Sequence, residues 1–122
     1  MTDPTNMIDS FDRAEVLALG MLRLAPDPAP EFWQDTSAPV LATLLYAASP
    51  VMLDAGLGWV QETVQAMAAG EMFAPPEGTP EMYARSVVRT QLLHPRQKDS
   101  VLRTLRGAID PWVSAAGHGR CA

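Results

Sequence analysis

With 122 residues, 48% of them hydrophobic and 19% charged, the chain is sized for one domain with its own core, which argues against intrinsic disorder. A single cysteine, Cys121, excludes an intrachain disulfide framework, and a solvated thiol in a reducing compartment is the plain reading. The net charge of −5 is unevenly spread: Met1 to Glu81 carries twelve carboxylates against Arg13 and Arg23, while Met82 to Ala122 carries seven cations against Asp99 and Asp110, a net of −10 followed by +5.

Alanine, leucine and methionine outweigh the β-branched residues, which predicts helices. The longest apolar stretch, Pro39 to Pro50, falls well short of the roughly 20 residues of a membrane span. The opening Met1-Thr2-Asp3-Pro4 is polar and acidic, unlike a signal peptide, so a cytoplasmic location is expected. Residues 1–9 read as a lead-in, 10–116 as one helical domain and 117–122 as a disordered tail.

The first helix is predicted from Ser10, whose hydroxyl can cap it, with Asp12 and Glu15 set against the helix dipole. Ala14, Leu17, Met21 and Leu24, with Val16 and Leu22, recur at helical spacing, and the helix stops before Pro26. Pro26-Asp27-Pro28-Ala29-Pro30 forms a stiff connector. A second helix is predicted from about Pro30 to Ser49, with Phe32 and Trp33 adding aromatic bulk to the core. Pro39 should kink or split it, with Thr36 or Ser37 capping the restart. Val40, Leu41, Leu44, Leu45, Ala47 and Ala48 are apolar nearly all round, the pattern of a central buried helix.

A third helix is predicted over 53–69, with Asp54 near its start, a first turn weakened by Gly56 and Gly58, and Gly70 just past its end. Trp59, Val60, Val64 and Met67 mark its buried stripe. Pro75-Pro76-Glu77-Gly78 is a loop, after which Thr79 should cap a fourth helix with Pro80 as its first residue. That helix is expected to run to about Leu93 and to bury Met82, Tyr83, Val87 and at least one of Leu92 and Leu93. The fifth opens at Pro95, buries Val101, Leu102, Leu105, Ala108 and Ile109, and ends near Pro111 or a turn later at Trp112. The fold class expected is therefore all-α, a compact bundle of about five helices.

Catalytic chemistry finds little support in these residues. His94 precedes a proline and His118 lies near the end, neither with cysteine or carboxylate at metal-ligand spacing. Ser86 and Ser100 have no histidine that spacing would nominate, and there is no phosphate-cradling glycine loop. No enzyme and no cofactor is expected. The constellation that stands out is cationic. Arg85 and Arg89 share a face of the fourth helix, and Arg96, Arg103 and Arg106, with Lys98 nearby, form a stripe on the fifth. Guanidinium groups gathered in this way suit phosphates or, in forked geometry, carboxylates. The competing reading is a solvated face balanced by pairs such as Arg103 with Asp99. The net −5 and the lack of aromatics among the arginines favour a protein partner over nucleic acid. Trp33, Trp59 and Trp112 are candidate partner anchors, although aromatics among leucines at helical spacing read first as core. An alternative is a free-standing helical protein that homodimerises through an apolar face around Trp59 and Met67.

Several segments carry a resemblance. These are Ile8-Asp9-Ser10-Phe11-Asp12-Arg13-Ala14, the run from Phe32-Trp33-Gln34-Asp35-Thr36-Ser37 through Ala48, Leu57-Gly58-Trp59-Val60, and Ser100 to Arg106 followed by Asp110-Pro111-Trp112-Val113. In that order they resemble the all-α domain of type IV secretion coupling proteins, the TraD/TraG-type conjugative ATPases. Pro39 within the long helix departs from the family pattern. Such ATPases also carry nucleotide-binding motifs and a membrane anchor, neither of which this chain contains. The resemblance therefore implies a segment of a larger, hexameric protein, itself a monomer when isolated. It implies docking of a relaxase or secreted effector protein on the cytoplasmic face of the membrane, with DNA contact as an option and no catalytic residue. Arg85, Arg89, Arg96, Lys98, Arg103 and Arg106 are the expected contact residues.

Overall fold

A computed structural model describes residues 3–120, with side chains described as far as Ser114. A 3₁₀ turn, Pro4–Met7, precedes α1 (Phe11–Arg23), α2 (Glu31–Ala48), α3 (Gly56–Ala68), α4 (Glu81–Gln91) and α5 (Pro95–Arg120), with no strand among the described residues. The bundle is all-α, as composition and periodicity predict. No helix among the described residues is long and apolar enough to cross a membrane.

α2 is the axis of the core. Val40, Leu41, Ala42, Leu44 and Leu45 are each 0% exposed, and the helix touches α1, α3, α4 and α5. Burying leucines of this kind stabilises the fold by about 1.5–3 kcal/mol each. Of the kink or split expected at Pro39, the split does not occur: α2 runs unbroken through it. Proline removes a backbone donor and crowds the carbonyl four residues back. Here that carbonyl belongs to Asp35, an exposed residue open to water, and the packed turns on either side hold the helix together. Thr36 caps nothing, because its hydroxyl donates to the Phe32 carbonyl (2.8 Å), as Thr43 does to Pro39 (2.8 Å). Ser37 is wholly buried and its hydroxyl finds no partner among the described residues. Pro111 repeats the pattern. α5 passes through it with exposed Gly107 four residues back, and Trp112 and Val113 pack on the core beyond it. The backbone is helical from Gly117 to Arg120, where a tail was expected, and Cys121 and Ala122 lie outside the described residues.

The helix ends show local chemistry overruled by distant partners. At α1 the capping is local: the Ser10 hydroxyl accepts from the Arg13 amide at 3.3 Å. α3 begins at Gly56, not near Leu53, because Asp54 (φ 51°) and Gly56 (φ 79°) take left-handed conformations that delay the helix. Its cap comes from the far end of the chain. Asp3 accepts from the Leu57 amide (2.9 Å) with one oxygen, and from the Thr5 amide (2.9 Å) and hydroxyl (2.6 Å) with the other. A side chain at Gly56 would bring its Cβ to 3.0 Å from that carboxylate, so glycine is required for the approach as well as for φ. Thr5 and Ile8 are buried by this arrangement, which makes the lead-in part of the core. Gly70 closes α3 as predicted, with the Gly70 amide on the Met67 carbonyl and the Glu71 amide on that of Ala66. Thr79 does not cap α4. Both its hydroxyl (2.7 Å) and its amide (3.3 Å) donate to the Pro76 carbonyl, and Pro80 is the cap residue instead.

Candidate interaction surface on α4 and α5

α4 is amphipathic in an unusual sense: apolar residues occupy both its faces. The inner face is Tyr83, Val87, Thr90 and Gln91, of which Val87, Thr90 and Gln91 are buried. Met82 and Leu92, both expected in the core, are 73% and 72% exposed, and Val88 is 43% exposed. Leu93, just past the helix, packs partly against the core instead.

Two polar fastenings decide which face turns inward. The Gln91 amide group clasps the backbone of Phe73, accepting from its N–H (2.6 Å) and donating to its carbonyl (2.8 Å). Gln91 thereby ties the loop after α3 to α4 and satisfies backbone groups that would otherwise be lost in the interior. At the other end the Tyr83 hydroxyl donates to the Glu15 carboxylate of α1. The Tyr83 ring lies edge-on to Phe11 (4.7 Å), which also meets Tyr46 (5.4 Å). The bond to Glu15, then burial, then the negative charges of Glu15 and Asp12 push the Tyr83 phenol up to about 12.

With the inner face committed, the outer face of α4 and the Pro75–Pro76 segment bound an open groove of about 650 Å³. Ala84, Val88, Leu92 and Leu93 supply apolar surface, and Arg85 and Arg89 stand among them. Arg85 pairs with Glu81 one turn earlier (2.6 Å), but both side chains are more than 70% exposed, so the pair is weak and exchangeable. Arg89 has no ion-pair partner among the described residues. It also borders a smaller hollow shared with Asp35, Thr36, Pro39 and Thr90.

The outer side of α5 differs. Arg96, Asp99, Arg103, Arg106 and Asp110 recur at three- and four-residue steps, so the cationic stripe carries two carboxylates of its own. Asp99 holds Arg103 at 2.8 Å, and Asp110 accepts from Gln61 of α3 at 3.0 Å. Arg96 and Arg106 are exposed and Lys98 is half-buried beside Leu93 and Asp99, all without an ion pair among the described residues. The structure thus brings Arg85 and Arg89 into one apolar groove and leaves Arg96, Lys98, Arg103 and Arg106 on a mixed-charge helix.

Searches against family models, characterised proteins and solved structures return no match.

Two further expectations change. Met67, expected on an apolar face open to a second copy, is 1% exposed, while Trp59 is half-buried and packs edge-on to Phe73 (5.9 Å). Phe32, read as core, is 67% exposed and rests against Trp33 (4.9 Å). His94 is an exposed residue whose Nδ1 accepts from the Arg96 amide (3.4 Å), and no cluster of three metal-ligating side chains occurs among the described residues. The groove-lining Val88, Leu92, Pro75 and Pro76 escaped sequence reasoning. The signal was present in the spacing of residues 85, 88, 89 and 92, which repeats along one helical face, but hydrophobicity alone assigned Leu92 to the core.

Proposed function

We propose that this chain is a non-catalytic helical recognition domain that docks an acidic protein partner through the α4–α5 side. In its sharper form, it is the substrate-recognition domain of a type IV secretion coupling protein, receiving a relaxase or a secreted effector. The observation that carries the reading is a group of four cations, Arg89, Arg96, Lys98 and Arg106, that have no ion pair among the described residues and lie on consecutive helices of an otherwise acidic chain. Guanidinium groups left in this state favour an incoming carboxylate, and complementary charge governs encounter rate and register more than raw affinity. Naked duplex DNA suits the surface less well, since Asp99 and Asp110 interrupt the α5 stripe and the chain carries −5 overall.

The test is binding of a purified relaxase, alone and on its DNA, and of naked duplex DNA, to the intact chain and to Arg103→Glu/Arg106→Glu across a salt series. The expected result is relaxase binding that weakens about tenfold in the variant and with added salt, at unchanged melting temperature. Equal binding by the variant overturns the reading, and binding of naked DNA alone replaces the protein partner with nucleic acid.

A further inference from the structure

The groove on α4 restricts the backbone of whatever enters it. Pro75 and Pro76 form one wall, and neither has an N–H to offer. The Pro76 carbonyl already accepts twice from Thr79. The other wall is α4, whose backbone groups between its two end turns are spent within the helix. An extended peptide laid here would find no N–H along the Pro75–Pro76 wall and no run of free main-chain groups on α4, and strand addition depends on alternating donors and acceptors. An occupant that satisfies its own backbone does not need them. The side chains in turn specify its surface: Val88 and Leu92, with Met82 at the exposed edge of α4, call for apolar groups, and Arg85 and Arg89 call for carboxylates beside them.

We infer that this groove receives an amphipathic acidic helix of the partner protein, its leucine-like stripe on Val88 and Leu92 and its carboxylates on Arg85 and Arg89. The inference rests on the recognition reading above and specifies the contact. From Glu81 to Leu92 the groove follows about 17 Å of helix rise, which matches about three turns of a partner helix. Arg89 is ready to pair. Arg85 exchanges its exposed Glu81 partner for the incoming acid, which adds salt sensitivity with little gain in affinity.

The probe is a fluorescein-labelled peptide of about 14 residues, near the lower limit for a helix in water, with leucines at i, i+3, i+4 and i+7 and glutamates flanking them. Two controls replace the glutamates with lysine or place a proline at the centre. Anisotropy and amide-shift mapping on the intact chain should show binding of the glutamate peptide alone, with shifts centred on Ala84, Val88 and Leu92. Leu92→Glu and Arg89→Glu, both at exposed positions and expected to melt like the parent, should each weaken it about tenfold or more. Equal binding of the proline peptide or the lysine peptide, or shifts centred on α5, overturns the inference. If a relaxase binds through Arg103 and Arg106 while the glutamate peptide does not bind, the helix-in-groove contact fails and the recognition reading survives. If neither binds, both fail.

Discussion

α4 and α5 together carry the basic character of this chain, yet they are attached to the bundle and present themselves in different ways. α5 is held by apolar burial: Val101, Leu105, Ala108 and Ile109 are at most 1% exposed, against α1, α2 and α3. Its charges lie opposite that stripe and partly satisfy one another. α4 buries less apolar surface and is pinned by Gln91 to Phe73 and by Tyr83 to Glu15. That economy leaves Met82, Val88 and Leu92 free to face outward between its arginines. A helix fastened by a few directional bonds can spend its remaining apolar residues on a partner, whereas one fastened by its apolar stripe cannot.

The sharpest way to break this contrast is to truncate each helix where it is said to be held. Leu105→Ala should cost about 2–5 kcal/mol in urea unfolding, through lost transfer energy and a cavity. Leu92→Ala on α4 should fall within about 0.5 kcal/mol of the parent, as for a surface residue. A large loss at Leu92 would mean that the outer face of α4 is core after all.

Gln91→Ala should cost about 1–3 kcal/mol, because the Phe73 N–H and carbonyl lose their partner in a part-buried site. The same variant should increase hydrogen exchange at Phe73 and loosen the Pro75–Pro76 wall, while amides in α5 keep their protection.

The Tyr83 bond sets a pH limit on α4. Its folded pKa, about 12, lies above the usual tyrosine value of about 10 in the unfolded chain. The contribution is therefore complete below pH of about 10 and is lost as pH rises from there to about 12. Unfolding midpoints measured across that window should fall more steeply for the parent than for Tyr83→Phe, and the tyrosinate absorbance near pH 12 should drop in the variant to what Tyr46 alone contributes.

The smallest effect belongs to α5. Removing the exposed Asp99–Arg103 pair with Arg103→Ala should change stability by about 0–1 kcal/mol, and less at high salt. A larger, salt-resistant loss would give α5 a polar fastening of its own.

Helical periodicity by itself determined the element order, the Ser10 cap, the Gly70 stop, the core stripe of α5 and the central place of α2. Each follows from short-range geometry: residues three and four apart share a face, a hydroxyl at a helix start meets a nearby amide, and glycine alone enters the left-handed region cheaply. Tertiary structure decided the rest. Asp3 caps a helix 54 residues away, the prolines at positions 39 and 111 are absorbed because packed turns flank them, and Thr79 gives its hydroxyl to Pro76. The two-sided α4 is the clearest case. Met82 and Leu92 are as hydrophobic as Val87, and nothing local ranks one face above the other. Which face turns inward depends on where Phe73 and Glu15 arrive to receive Gln91 and Tyr83, and that is known only once the other helices have packed.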